Sequence, residues 1–238
     1  MTLTNQLTIK IFADGADEHG IAELAANPLV KGYTTNPTLM RAAGVAEYES
    51  FALRVLEMIG DKPISFEVFA DDFREMERQA RRIAAWGPNV FVKIPITTTT
   101  GQSTAEVMRH LSCEAVHMNI TGLLTVDQVS TACECIGDGP GGIVSVFAGR
   151  VADTGCDPVP LMSRALEVMR PFPKLELLWA SPRELLNVVQ AQAIGCHIIT
   201  VTHELLKKLP LLGRDLTEYS LETVRMFHRD AAAAGYEL

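Results

Sequence analysis

Residues 89–96 read Asn-Val-Phe-Val-Lys-Ile-Pro-Ile, a short apolar run with a lysine in its interior. Branched and aromatic side chains of this kind favour a β-strand that is buried on both faces, as the strands of parallel sheets are. A helix start follows soon after the run, because Ser103 and Glu106 have the spacing of a capping box. The segment therefore predicts one strand–helix unit of an α/β protein.

Runs of this kind recur along the chain, separated by segments with helical periodicity. The predicted strands are Thr8 to Asp14, Val30 to Asn36, Ile64 to Ala70, Val90 to Thr97, Val116 to Gly122, Gly142 to Gly149, Leu175 to Ser181 and Cys196 to His203. Further helix starts are signalled at Asp72, Thr125 and Ser181-Pro182. Eight such units in 238 residues predict a closed (β/α)8 TIM barrel. An open doubly wound sheet is the alternative, although no Gly-x-Gly-x-x-Gly follows the first strand.

Residues 215–238 extend beyond the eighth unit. Leu221, Val224, Met226 and Phe227 predict an amphipathic helix there. We expect a single domain over residues 1–238, with 215–238 as a C-terminal helical extension. An apolar face on a completed barrel is typical of a subunit contact, so we expect a homo-oligomer formed through this helix.

The charge balance argues against two classes of partner. Lys and Arg number 21 against 29 Asp and Glu, a net charge of −8, which gives no electrostatic support for binding nucleic acid or an anionic membrane. Residues 1–10 lack the apolar core of a signal peptide, and the five cysteines are odd in number. We therefore expect a cytoplasmic protein.

A metal site has one candidate, Cys133-x-Cys135 with nearby His117. The cysteines lie within a helical pattern, and no second Cys or His pair stands at zinc spacing. Ordinary buried thiols are the favoured interpretation, and we expect neither a metal nor a cofactor.

The face of the strands predicted to line the barrel is unusually polar. Alternate residues share a face, and the lining positions are Phe12 and Asp14, Thr34 and Asn36, Ser65 and Glu67, Phe91, Lys93 and Pro95, Asn119 and Thr121, Ser145 and Phe147, and Trp179 and Ser181. Barrel enzymes place their chemistry at the C-terminal ends of the strands, where these residues lie. A satisfied buried network is the alternative for any single residue, but seven strands contribute polar groups.

Lys93 carries the sharpest chemical signal in this set. Its apolar surroundings disfavour the charged ammonium. A neutral amine in a pocket is a nucleophile for a carbonyl carbon, the chemistry of Schiff-base lysines. The alternative is a structural ion pair with Asp14 or Glu67.

Four motifs, in this order along almost the whole chain, indicate a family. They are Asp14 at the end of the first strand, Thr34-Thr35-Asn36-Pro37, Phe91-Val92-Lys93-Ile94-Pro95 and Phe147-Ala148-Gly149-Arg150. Together they resemble the transaldolase family, which includes the small fructose-6-phosphate aldolase-like members. The resemblance implies a class I, Schiff-base-forming barrel enzyme of carbohydrate metabolism, such as that of the pentose phosphate pathway. It also implies that the partner is a small sugar phosphate or sugar sulfonate.

The resemblance further implies roles for individual positions. Lys93 would attack the ketose carbonyl, Asp14 would act as general acid and base, and Glu67 with Thr121 would hold a water that shuttles protons. The substrate-binding positions would be Thr34, Asn36, Asn119, Ser145, Phe147, Arg150, Ser181 and Arg183. Among them, Asn36, Asn119 and Ser145 match positions for dihydroxyacetone hydroxyls, and Arg150, Arg183 and Ser181 match positions for a distal anion. The predicted helix start at Ser181-Pro182 would add free N–H groups to the anion site.

Three positions separate the subtypes of the family. Glu67, Asn119 and Phe147 are transaldolase-like, so we favour a transaldolase that moves a dihydroxyacetone unit from a ketose to an aldose. The alternatives are an aldolase that releases free dihydroxyacetone and a non-catalytic barrel that binds sugar phosphates. A metal-dependent barrel hydrolase is disfavoured, because the six histidines show no ligand-like pairing.

Overall fold

The computed structural model describes residues 7–237 and shows a closed barrel of eight parallel strands in the order β1-β2-β3-β4-β5-β6-β7-β8. The strands are β1 (Lys10–Asp14), β2 (Val30–Thr34), β3 (Ile64–Glu67), β4 (Val90–Pro95), β5 (Met118–Leu123), β6 (Gly142–Val146), β7 (Leu175–Trp179) and β8 (Ile198–Thr202). The predicted (β/α)8 fold with a further C-terminal helix is confirmed.

Helices alternate with the strands and cover the outside of the barrel. They are α1 (Glu18–Ala25), α2 (Pro37–Ala42), α3 (Tyr48–Ile59), α4 (Phe73–Ala84), α5 (Ala105–Cys113), α6 (Val126–Ile136), α7 (Ala148–Asp153), α8 (Pro158–Met169), α9 (Leu186–Ala193), α10 (His203–Leu206) and α11 (Leu216–Ala234). Two parts of the predictions lie outside the described residues. They are residues 1–6, which carry most of the prediction about a signal peptide, and Leu238 of the predicted C-terminal extension. No helix within 7–237 is both long enough and apolar enough to span a membrane.

The core has two layers. A large outer layer packs the sheet against the helices, and a small inner layer inside the barrel contains Phe12, Ile143, Leu178, Ala180 and Ile198. Buried polar side chains, among them Lys93, Asn119 and Ser145, occupy other inward positions of the strands.

The predicted face of β7 is wrong by one residue. Leu178 and Ala180 point into the barrel, whereas Trp179 packs in the outer layer. Both faces of β7 are buried, so its sequence Leu-Glu-Leu-Leu-Trp does not alternate between polar and apolar and carries no signal for its register.

Of the four predicted helix starts, those at Asp72 and Thr125 form, whereas those at Ser103 and Ser181-Pro182 do not. The Asp72 side chain accepts from the Glu75 N–H, and Thr125 forms a full capping box with Gln128. The box predicted at Ser103 is absent, because α5 is preceded by Thr104, whose hydroxyl donates instead to the Pro95 carbonyl at 2.6 Å. Ser103 bridges to Thr97 in a short antiparallel contact.

The Cys133-x-Cys135 pair lies inside α6, and both thiols are buried. Burial raises the pKa of Cys133 to about 12. Such a thiol keeps its proton near neutral pH, which fits the interpretation as packing rather than as a thiolate ligand.

Candidate active site

A cavity of about 620 Å³ opens at the C-terminal ends of the strands. Twelve positions were predicted to form a site, and all of them line it: Asp14, Thr34, Asn36, Glu67, Lys93, Asn119, Thr121, Ser145, Phe147, Arg150, Ser181 and Arg183. The lining also includes positions that the sequence analysis did not single out, among them Leu39, Leu178, Ala180, Thr200 and Thr202.

Lys93 lies in the wall of this cavity with 6% of its surface exposed. Its Nζ donates to the Thr35 carbonyl at 2.9 Å and lies 3.2 Å from Glu67 Oε2. The pairing of β3 with β4 places Glu67 directly beside Lys93. The ion pair considered from the sequence therefore exists, and it stands in an open cavity where a ligand can reach the amine.

Asp14 is the second carboxylate of the cavity. Thr34 donates its hydroxyl to Asp14 Oδ1 at 2.7 Å, and the Thr34 and Thr200 hydroxyls lie 2.5 Å apart. Burial raises the pKa of Asp14 above its ordinary value, although the Thr34 hydrogen bond and the Lys93 charge oppose the shift. A carboxyl whose pKa moves toward neutrality is suited to both giving and taking a proton.

A chain of buried hydrogen bonds joins β6, β5 and β3 and so passes in front of β4. Ser145 donates to Asn119 Oδ1 at 2.6 Å, and Asn119 Nδ2 donates to Ser65 Oγ at 2.9 Å. The chain fixes the Asn119 amide while leaving its second N–H available for a ligand. Thr121 lies on the same strand as Asn119, and its buried hydroxyl has no hydrogen-bond partner among the described residues.

Asn36 lies at the start of α2, at the edge of the cavity. Its Oδ1 accepts from the Leu39 N–H at 3.0 Å and so caps α2. This contact orients the side-chain amide at the edge of the cavity, where Asn36 is part of the lining.

The helix start predicted at Ser181-Pro182 is wrong. α9 begins only at Leu186, and Ser181 adopts a left-handed backbone with φ +61°. The side chain of Asn187 accepts from the Arg183 and Glu184 N–H groups at 2.7 and 3.1 Å. These N–H groups are therefore already bonded, and an anion here would be held by side chains.

Two arginines line this end of the cavity. Arg150 lies over the Phe147 ring at 5.6 Å, and Arg183 forms a two-point ion pair with Asp153, in which its Nε lies 2.8 Å from Oδ1. Gly149 makes the arrangement possible, because an added Cβ would lie 1.5 Å from the Ser181 carbonyl oxygen. The first turn of α7 thus rests directly on the backbone after β7.

Two contributors to the site were missed. Thr200 follows the alternation of β8 and could have been found by applying the inward-facing rule to that strand. Tyr48 lies on α3 outside the cavity lining and was not predicted as a site residue, yet its hydroxyl contacts the backbone of Glu67. Among residues 7–237, no group of three or more His, Cys, Asp or Glu side chains is arranged to hold a metal ion.

The fold and cavity define a (β/α)8 barrel with a lysine and two carboxylates at the C-terminal ends of its strands. Its backbone is similar to that of a mandelate oxidase variant with an FMN adduct, with TM-score 0.56 and 18% identity over 94% of this chain and 74% of that one. At this identity the likeness concerns the fold alone.

Sequence comparison is more specific. A model of the family described as "Transaldolase/Fructose-6-phosphate aldolase" matches residues 11–238. A probable transaldolase of Dehalococcoides mccartyi is 33% identical over 84% of this chain and 90% of its own length. One from Thermoanaerobacter sp. is 31% identical over 97% of this chain and 100% of its own length. The chain belongs to the transaldolase/fructose-6-phosphate aldolase family.

Proposed function

We propose that the protein is a transaldolase that carries a dihydroxyacetone unit from an anionic ketose to an aldose through an imine on Lys93. The observation that carries the proposal is a buried lysine, 3.2 Å from a carboxylate, in the wall of an open and polar cavity. A buried amine of this kind suits attack on a carbonyl carbon, and family membership supports the choice of reaction.

In the proposed reaction, Lys93 Nζ adds to the ketose carbonyl, and loss of water gives an iminium ion. Asp14 then takes the proton of the hydroxyl on the β carbon, and the bond between the α and β carbons breaks. The electron pair moves to the iminium nitrogen and an aldehyde leaves. The resulting enamine attacks the acceptor aldehyde, Asp14 returns the proton, and hydrolysis releases the new ketose and Lys93.

Glu67 and Thr121 are assigned to the steps that gain and lose water. Glu67 is the charged group beside the Lys93 amine, and Thr121 presents a buried hydroxyl without a protein partner. A water held between them would move protons while the carbinolamine forms and collapses. The unpartnered hydroxyl supports this assignment, since buried hydroxyls normally find a partner.

Substrate recognition is assigned to the remaining polar lining. Asn36, Asn119 and Ser145 would bind the hydroxyls of the dihydroxyacetone unit. Arg150 and Arg183 would bind a phosphate or sulfonate at the other end. Side-chain guanidinium groups suit this task, because they match the geometry of both anions. Thr34 would act on the substrate indirectly, through its hydrogen bond to Asp14. Phe147 would act indirectly as well, because its ring supports the Arg150 guanidinium.

The decisive experiment is reduction of the imine. Borohydride added with a ketose phosphate should attach the sugar to Lys93, as measured by intact mass and peptide mapping, and should abolish activity. Lys93→Met should abolish trapping. Lys62→Met is the matched control, because Lys62 bonds the Ala25 carbonyl at 2.7 Å and is not part of the cavity lining. Trapping at another lysine, or an active enzyme that cannot be trapped, would overturn the mechanism.

We also propose that copies of the chain associate through α11. No residue of this helix is buried, and Leu221, Val224 and Phe227 are exposed. Light scattering should show an oligomer that dissociates when Val224 and Phe227 are replaced by Glu. A monomeric wild-type protein would contradict this. We place the protein in the cytoplasm, in keeping with its free cysteines.

A further inference from the structure

We propose that Tyr48 is a positioning residue for Glu67, because its hydroxyl completes the hydrogen bonds of the strand end on which Glu67 lies. The inference rests on the proposed function, since it concerns the carboxylate beside the reacting lysine. Tyr48 does not line the cavity, so it acts only through Glu67.

The need for Tyr48 comes from an early end to strand pairing. β2 and β3 pair only at Tyr33 with Ile64 and at Thr34 with Ser65, and the last contacts between them run from the Thr35 N–H and hydroxyl to the Ser65 carbonyl at 3.2 and 2.9 Å. The chain then turns into α2 at Pro37. The last residue of β3 has therefore lost its neighbour on one side.

Glu67 presents its own peptide groups to that side. In a strand, successive residues direct their N–H and C=O groups to opposite edges. On the β4 edge, the bonds are made by Ile64 and Val68, whose N–H groups donate to the carbonyls of Asn89 and Lys93. The N–H and C=O of Glu67 thus point toward the place that β2 has left.

The Tyr48 hydroxyl binds both groups. It accepts from the Glu67 N–H at 2.8 Å and donates to the Glu67 carbonyl at 3.0 Å. A phenol can do this because a single oxygen is donor and acceptor. One side chain thereby replaces two hydrogen bonds of a missing strand.

The ring that carries this hydroxyl is held on several sides. Its centroid lies 4.6 Å from that of Phe69, 5.3 Å from that of Trp86 and 6.0 Å from that of Phe66. Burial and the neighbouring Glu67 charge raise the pKa of Tyr48 above its ordinary value. The hydroxyl therefore keeps its proton and stays a donor across the pH range of an assay.

The position of Glu67 matters because its carboxylate faces the amine. Glu67 Oε2 lies 3.2 Å from Lys93 Nζ. Glu67 is also the last residue of β3. Terminal residues with unpaired peptide groups fray. Without the Tyr48 hydroxyl, the carboxylate would lose its fixed distance to the amine and to the water it is proposed to hold.

The test is Tyr48→Phe, which keeps the ring and removes only the hydroxyl. Tyr33→Phe is the matched control, because the Tyr33 hydroxyl is also a tyrosine hydroxyl of the barrel, is buried, and has no hydrogen-bond partner among the described residues. We expect Tyr48→Phe to lower kcat and the rate of borohydride trapping by about ten- to a hundredfold, as small misplacements of reacting groups do. KM should stay within about twofold, because the groups proposed to bind substrate are unchanged. Tyr33→Phe should match wild type.

A double-mutant cycle separates positioning from general weakening of the fold. If Tyr48 acts through the carboxylate, Tyr48→Phe should slow a Glu67→Gln enzyme far less than it slows wild type. The inference would be overturned if Tyr48→Phe had the kcat of wild type. It would also be overturned if Tyr48→Phe lowered kcat by the same factor in the wild-type and Glu67→Gln enzymes. Absence of trapping at Lys93 in active wild-type enzyme would instead overturn the proposed function, so the two failures are distinguishable.

Discussion

Replacing Arg183 by alanine should lower kcat/KM for an anionic ketose and leave a neutral ketose of the same length unaffected. Asp153 engages the Nε–H and one N–H of Arg183, which leaves three of the five guanidinium N–H groups for a ligand. The ion pair therefore orients the group without consuming it. It also lowers the pKa of Asp153, so the carboxylate stays charged through the assay range.

The size of the effect follows from the contact that is lost. A hydrogen bond to a charged group contributes about 1.5–3 kcal/mol, and about 1.4 kcal/mol corresponds to a tenfold change. Arg183 has 46% of its side chain exposed, so solvent screening places the loss in the lower part of that range. We expect a decrease of roughly ten- to thirtyfold for the charged substrate.

Asp153 provides the internal control. In Arg183→Ala the Asp153 carboxylate stands unpaired near the anion and adds repulsion, so the double variant with Asp153→Asn should recover part of the loss. The assay compares kcat/KM for charged and neutral ketoses in both variants at two salt concentrations. Equal losses for the two ketoses, or a double variant worse than the single one, would refute the anion site.

Four further predictions address the remaining assignments. Asp14→Asn should retain imine trapping while turnover falls by roughly 10²- to 10⁴-fold; near-wild-type turnover would make Asp14 structural. Because burial raises the pKa of Asp14 above its ordinary 3.8, the ionised carboxylate costs stability above that pH, and Asp14→Asn should increase Tm more at pH 8 than at about pH 3, where wild-type Asp14 is mostly protonated in both states. Consumption of the ketose should require an aldose acceptor, and free dihydroxyacetone produced equally fast without one would favour an aldolase. Gly149→Ala should lower both Tm and kcat/KM for anionic ketoses, since its Cβ would overlap the Ser181 carbonyl; unchanged values would show that the contact is not needed.

Strand number and order followed from the sequence because each buried parallel strand is a recognisable β-branched run between amphipathic helices. Where polar residues alternate with apolar ones, as Asn119 and Thr121 do in β5, the inward face of the strand could also be predicted. β7 offers no such alternation, and its register depends on pairing with β6 and β8, which no local pattern records. The inward face of β7 was therefore misassigned.

Within the site, side chains were easier to predict than the backbone that carries them. Ser181 looked like an ordinary helix cap, and nothing in its neighbourhood indicates the left-handed conformation. In that conformation the Ser181 carbonyl packs against Gly149, which is 32 positions away in the chain (181 − 149), so only a residue without a Cβ fits there. Tyr48 has the spacing of a core residue, and its hydroxyl matters only because β2 ends early.

The contact between Gly149 and the Ser181 carbonyl bears on chain-length selectivity. Arg150 adjoins Gly149, and Arg183 lies two residues after Ser181, so one backbone contact sets the spacing of both arginines. The position of Lys93 is fixed by the barrel, because Lys93 lies within β4. On the proposed function, the reach from the imine carbon to the anionic end of the substrate is therefore determined by main-chain atoms. Exchanging the arginines would alter which terminal group is preferred, whereas accepting a sugar one carbon longer or shorter would require rebuilding the junction between α7 and the loop after β7.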